Sequence, residues 1–102
     1  MKKKSITILL FKKVGNFAEN KDAARDIRRD KIIPALESDK EVILDFKDVE
    51  STTQSFIHAL ISELIRKYSG NVLDRVLFKN CNETVRKIIN IVVDYMQHSA
   101  WD

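Results

Sequence analysis

The chain has very little of several residue types on which functional sites often depend. Its 102 residues include one cysteine, one proline, two glycines and two histidines. Two glycines leave no Gly-rich loop to bind a phosphate, and the histidines show no metal-ligand spacing. The lone Cys81 cannot form a disulfide within the chain, which is typical of a reducing, cytoplasmic location. We therefore expect a cytoplasmic protein that is not an enzyme and that holds neither a cofactor nor a metal ion.

Long apolar runs are also missing, so the sequence predicts no membrane-spanning segment. Residues 6–11 are apolar except for Thr7 and follow a basic segment, but Lys12 and Lys13 interrupt the run and no small-residue cleavage site follows. We interpret residues 5–12 as a first strand rather than as part of a signal peptide. The hydrophobic fraction of 44% and the length predict a single globular domain over residues 1–102.

Hydrophobic periodicity predicts three alternations of strand and helix. The strands are expected at residues 5–12, 42–46 and 75–79, with the second strand central and the helices covering the faces of the sheet. A first helix follows Asn20 and is kinked or restarted at Pro34, a second covers residues 53–68, and Asn82 caps a third. Strands alternating with helices predict an α/β fold with a small, mostly parallel sheet.

The most informative segment is residues 41–60, which reads as a buried strand, an acidic loop and a helix that begins with hydroxyl side chains. Residues 51–54 fit a capping box in which Ser51 caps the helix. Thr52, Thr53 and Ser55 then occupy the first turn, where the helix dipole favours negative charge and would favour a phosphate. The acids of the preceding loop could hold Mg²⁺, although exposed acids on one loop are usually only solvated.

This segment resembles the strand–loop–helix signature of STAS domains, the fold of bacterial anti-sigma-factor antagonists. In that signature a strand ends in Asp-Leu, a short loop has a central Val, and Asp-Ser-Ser-Gly-Leu begins a helix. Asp45 and Phe46 match the strand end, Val49 matches the loop Val, and Ser55 falls on the serine that is phosphorylated in that family. The resemblance implies a STAS-like fold for this chain.

Two positions depart from that signature, since Thr53 replaces the acidic residue and Phe56 replaces the glycine. The chain is more similar to a STAS-like family of bacterial domains of unknown function, whose members carry a Leu-Asp-Phe…Val…Thr-Gln-Ser-Phe pattern. Residues 44–46, 49 and 53–56 match this pattern.

The resemblance implies a regulatory protein-interaction module that is not a catalyst. Its relatives bind a protein-serine kinase of the histidine-kinase-like ATPase type and are switched by phosphorylation at the helix start, here at Ser55. A homodimer is left open. The implied partner surface combines the loop with the exposed face of the second helix, and its expected residues are Asp48, Glu50, Thr52, Thr53, Ser55, His58, Ser62 and Arg66.

The alternative function is nucleic-acid binding, because the net charge is +3 and the first helix is rich in arginine. Arg25, Arg28 and Arg29 could line one side of that helix and contact phosphates. The acids interleaved with them are more typical of a solvated face with salt bridges, so we expect nucleic-acid binding to be the weaker hypothesis.

The third helix carries a second apolar stripe that contains Ile91 and Tyr95, and Trp101 follows it. Such a stripe on a terminal helix predicts either a partner surface or a tail that folds back so that Trp101 covers an edge of the sheet.

Overall fold

A computed structural model describes residues 4–99 and the side chains of residues 4–97. Trp101 lies outside the described residues. The predicted α/β fold is confirmed, with a parallel sheet and helices alternating along the chain. The elements are β1 (Ser5–Leu9), α1 (Leu10–Val14), β2 (Phe17–Ala18), α2 (Lys21–Ile27), a π-helical turn (Arg28–Ile32), α3 (Ile33–Glu37), β3 (Glu41–Asp45), β4 (Ser51–Thr52), α4 (Gln54–Tyr68), a 3₁₀ turn (Gly70–Asp74), β5 (Val76–Lys79) and α5 (Glu83–Ser99).

The main sheet has the order β1-β3-β5, and both neighbouring pairs are parallel. The predicted central position of the second core strand is therefore confirmed. Strands β2 and β4 form a separate parallel pair of two residues each, with Phe17 opposite Ser51 and Ala18 opposite Thr52. These strands were not predicted, because two residues are too few to show an alternating pattern.

Helices cover one face of the main sheet and leave the other open, so the prediction of helices on both faces is wrong. Val42 and Leu44 are fully buried on the covered face, whereas Leu9 and Leu77 on the opposite face are 41% and 42% exposed. The strand order explains this difference. Right-handed crossovers that advance in one direction along a sheet place every connecting helix on the same side.

The first strand ends at Leu9 and not at residue 12, because Leu10 turns inward and is completely buried. Helix α1 begins there, and Gly15 ends it with a φ of +75°, a conformation that glycine adopts without steric cost. This early turn places β2 beside β4. The pairing of these two strands determines where α4 can begin.

The segment from α2 through the π-helical turn to α3 agrees with the prediction of a helix that follows Asn20 and restarts at Pro34. The Asn20 side chain accepts hydrogen bonds from the backbone N–H groups of Asp22 and Ala23, which confirms the predicted cap. The helix then widens into the π-helical turn and restarts with Pro34 in the first turn of α3. A proline is tolerated there because the first helical positions need no intrahelical donor.

Helices α4 and α5 bury the stripes that periodicity predicted. Val85, Ile89, Val92 and Met96 of α5 are buried, and the Asn82 side chain accepts a 2.8 Å hydrogen bond from the Val85 N–H as its cap. In α4 the buried side chains include Phe56, Ile57, Leu60, Ile61, Leu64 and Ile65. Both helices therefore present the opposite, more polar sides to the surface.

Candidate functional site

The candidate site begins where β3 ends. Asp45 Oδ1 accepts 2.9 Å hydrogen bonds from the Lys47 backbone N–H and from the side-chain Nδ2 of Asn80. Asp45 therefore bonds the backbone of the loop that follows β3. The hydrogen bond from Asn80, followed by that from Lys47, lowers the pKa of Asp45 because both favour the ionised carboxylate. Asp45 therefore joins the end of the central strand to the turn that precedes α5.

The loop after β3 is held by one buried side chain and one acidic side chain. Val49 is buried in the core, which explains why a loop valine occurs in the signature. Glu50 Oε2 accepts a 2.7 Å hydrogen bond from Asn16 Nδ2, and its backbone carbonyl accepts one from Asn82 Nδ2. Asp48 is exposed and has a φ of 69°. Within residues 4–99 no three acidic, histidine or cysteine side chains are arranged to hold a metal ion.

The predicted capping box is wrong, because helix α4 begins later than the pattern indicated. Ser51 and Thr52 form β4, and the cap is Thr53, whose side-chain oxygen accepts a 3.0 Å hydrogen bond from the Phe56 N–H. Thr52 is 6% exposed, and its Oγ1 donates a 2.7 Å hydrogen bond to the Ala18 carbonyl. The predicted exposure of Thr52 is therefore wrong as well, since pairing of β4 with β2 turns this hydroxyl inward.

Ser55 is the exposed hydroxyl of this cluster. It is the second residue of α4, and its hydroxyl makes no hydrogen bond with any part of the chain that the structure describes. It borders a surface groove of about 400 Å³ between the beginning of α4 and the middle of α5. The lining residues are Lys21, Gln54, Ser55, His58, Ala59, Ile91, Val92 and Tyr95. We call this surface the α4–α5 groove.

The other predicted partner residues on α4 have different surroundings. His58 is half-buried and lines the α4–α5 groove. Arg66 is exposed and lies 3.2 Å from Glu63, one helical turn earlier. Ser62 is only 3% exposed, so the prediction that it lies on the outer face of the helix is wrong. Helix α4 packs against α2, α5 and the 3₁₀ turn, and a small side chain such as that of Ser62 is readily buried in a helix with several neighbours.

The groove includes residues of α5 and α2 that the sequence did not predict to lie near Ser55. Ile91 and Tyr95, in the second stripe of α5, are 48% and 63% exposed among the described residues, and the tail that would carry the other interpretation lies outside them. Nothing in the sequence indicated that this stripe would lie beside Ser55. Lys21, at the start of α2, was not predicted as a site residue at all.

The arginines of the first helix are paired with acids or backbone. Arg25 contacts Asp22, and Arg29 contacts Asp26 and Asp30 at 3.1 and 2.9 Å. Arg28 Nη1 donates a 2.7 Å hydrogen bond to the Ala59 carbonyl of α4. The predicted alternation of salt bridges is confirmed, and exposed pairs of this kind contribute little stability. Binding of nucleic acid by these residues stays a prediction.

The thiol of Cys81 is half-buried, two residues after the end of β5. Burial raises the pKa of Cys81, so its neutral form is favoured at neutral pH. Because a neutral thiol is a weak nucleophile, we interpret Cys81 as a structural residue.

These features define a class of protein: a small α/β domain in which a central parallel strand leads through an anchored loop into a helix with an exposed serine at its start. Residues 23–86 match the family model described as "STAS-like domain of unknown function (DUF4325)". The match spans more than half of the chain, and the protein belongs to this family. No curated protein and no solved structure matches it. None of the helices formed by the described residues has the length and hydrophobicity of a membrane span.

Proposed function

We propose that this protein is a non-catalytic regulatory module, similar to an anti-sigma-factor antagonist, that binds a protein partner at the α4–α5 groove and acts in the cytoplasm. The observation that carries the proposal is the position of Ser55. It is exposed at the start of a 15-residue helix, next to a groove that has both apolar and basic side chains. Membership of a STAS-like family supports a role in protein regulation.

The groove has the composition of an interaction surface. Ile91 and Tyr95 supply exposed apolar area, and Lys21 and His58 supply polar groups at its border. Protein interfaces combine an aromatic or aliphatic centre with a polar rim in this way. Asp48, in the loop before α4, and Arg66, in the last turn of α4, are also exposed, but neither lines the groove. By the STAS resemblance, the partner is a histidine-kinase-like ATPase or a protein-serine kinase.

Phosphorylation of Ser55 is the proposed switch. The nearby hydroxyls are less suitable, because Thr52 is buried and Thr53 is occupied as the helix cap. A phosphate on Ser55 would add about −1.5 to −2 charges at a helix start, where backbone N–H groups and the dipole favour an anion. It would also change the charge and shape of the groove edge, and would weaken binding of a partner that contacts Ser55 directly.

A catalytic role for Ser55 and His58 has less support. A serine nucleophile needs a base within hydrogen-bonding distance, and that base needs a third group to orient it. Ser55 makes no hydrogen bond to His58 in the described structure, and the groove lining contains no acid. His58 is therefore assigned to partner contact.

The test compares wild type with Ser55→Ala and Ser55→Asp, using Thr84→Asp as a matched control. Thr84 is also exposed, and it is the second residue of α5 as Ser55 is of α4, so the control adds the same charge at an equivalent helix position. If a gene beside this one encodes a histidine-kinase-like ATPase or a protein-serine kinase, that purified protein is the partner to use. Affinity is measured by calorimetry, and the mass of wild type is measured after incubation with the partner and ATP.

If the proposal holds, Ser55→Asp binds at least about tenfold more weakly, Ser55→Ala and Thr84→Asp bind as wild type does, and wild type gains one phosphoryl group. Equal binding by all folded variants, with no phosphate gained, would contradict the switch. Loss of binding in both Ser55 variants but not in the control would leave the groove as a binding surface without a phosphorylation switch.

A further inference from the structure

One edge of the main sheet has unpaired backbone groups. β1 is the terminal strand of the order β1-β3-β5, and its register sets Ile6 opposite Val42 and Ile8 opposite Leu44. The Glu41 N–H donates to the Lys4 carbonyl, so alternate residues from Lys4 onward bond to β3. In a parallel ladder the intervening residues, Ser5 and Thr7, direct their N–H and C=O groups away from the neighbouring strand. No other described strand pairs with this side of β1.

Within residues 4–99, β1 itself carries none of the features that normally prevent strand addition. Natural edge strands are protected by charged side chains, proline, bulges or a covering element. β1 contains no charged residue and no proline, and its five residues pair with β3 without interruption. Ser5, Thr7 and Leu9 are exposed. β1 therefore can accept a further strand.

The strand is self-complementary. If a second copy pairs with β1 in the antiparallel direction about a twofold axis at Thr7, Thr7 lies opposite Thr7 and Ile6 lies opposite Ile8 of the second copy. Pairs of threonines and pairs of β-branched residues stabilise antiparallel strands. Ile6 is half-buried in the single chain, and the second copy would cover it. No charged side chain within β1 would oppose a like charge.

The opposite edge is less suited to self-pairing. In β5 the outward-directed residues are Val76 and Phe78, since Val42 donates to the Arg75 carbonyl and Phe46 to that of Lys79. Pairing Val76 with Phe78 of a second copy would place Arg75 opposite Lys79, and like charges directly opposite each other are destabilising. The flanking charges therefore make β1 the more favourable edge for pairing with a second copy.

We propose that two copies of this chain form a closed dimer by antiparallel pairing of β1 with β1, which creates one continuous sheet across both copies. The interface is isologous, so it closes after two subunits and does not generate a filament. No residue of β1 lines the α4–α5 groove, and this dimer does not depend on the proposed function.

The first experiment measures mass by sedimentation equilibrium over a range of protein concentrations for wild type, Thr7→Lys and Leu77→Lys. Thr7→Lys would place two like charges opposite each other on the twofold axis. Leu77→Lys makes the same kind of change on the same open face of the sheet, but in β5. We expect a wild-type dimer whose dissociation constant rises at least about fivefold in Thr7→Lys and is unchanged in Leu77→Lys.

The second experiment detects the pairing by crosslinking. Its result does not depend on whether the fold tolerates a lysine at position 7 or 77. In a Cys81→Ser background, Thr7→Cys should form a covalent dimer under mild oxidation, because Cα atoms of a hydrogen-bonded antiparallel pair are about 5.5 Å apart, within disulfide range. Leu77→Cys is the matched control and should remain mostly uncrosslinked. A wild type that is monomeric at every concentration, equal crosslinking of both variants, or open-ended assemblies would each overturn the proposal.

Discussion

Replacing Thr52 with valine tests whether β4, rather than a capping box, precedes α4. The Thr52 side chain is buried, and its hydroxyl donates to the Ala18 carbonyl over 2.7 Å. Valine has nearly the same shape but no hydroxyl, so Thr52→Val removes one hydrogen bond between β2 and β4 with little change in packed volume.

The expected loss in the free energy of unfolding depends on whether the Ala18 carbonyl keeps another hydrogen-bond donor. The Ala18 carbonyl also accepts a 3.2 Å hydrogen bond from the Thr53 N–H, so the substitution does not leave it unsatisfied. The cost is then that of one net hydrogen bond, about 0.5–1.5 kcal/mol, rather than the larger penalty of an orphaned buried group. For a domain of this size, a loss of about 1 kcal/mol lowers the Tm by about 4–8 °C.

The assay is urea and thermal unfolding followed by circular dichroism, with Thr84→Val as control. Thr84 is exposed, so its substitution should change the free energy of unfolding by less than about 0.5 kcal/mol. Partner binding by folded Thr52→Val should equal that of wild type, because the side chain does not reach the surface. Unchanged stability together with lost partner binding would show that the hydroxyl is exposed and would restore the predicted capping box.

Two further predictions concern the core and the loop. Leu64 is 1% exposed, so Leu64→Ala should lower the free energy of unfolding by about 2–5 kcal/mol in urea titrations; an unchanged unfolding midpoint would refute this burial. Asp45 has a lowered pKa in the folded state, so its contribution is present above the unfolded pKa of about 4 and is lost as pH falls through the folded pKa. Between about pH 5 and pH 2 wild type should therefore lose more stability than Asp45→Asn, and equal acid sensitivity of the two proteins would contradict the interpretation.

Several features that depend on neighbouring residues along the chain were predicted correctly. Asn20 and Asn82 cap their helices because a short polar side chain reaches backbone N–H groups two or three residues later. Pro34 restarts its helix because proline has no N–H to donate. The buried stripes of α4 and α5 follow from helical periodicity alone.

Features that depend on distant parts of the chain were predicted wrongly or not at all. The cap moved from Ser51 to Thr53 because β4 pairs with β2, which lies more than 30 residues earlier. Ser62 was placed on the outer face of α4, although packing against other helices buries it. Neither contact leaves a periodic signal in the local sequence, and short polar residues are compatible with both environments.

By itself the sequence determined the α/β alternation, the caps at Asn20 and Asn82, the buried stripes and the exposed serine near the start of α4, since each depends on local backbone geometry and on the period of apolar residues. Only the tertiary structure decided that β1 forms an unpaired edge, that one face of the sheet stays open, and that Lys21, Ser55, His58 and Tyr95 share a groove. These depend on strand order and on the side to which each crossover returns. Both are global properties of the packed chain, set by which elements bury one another's apolar faces.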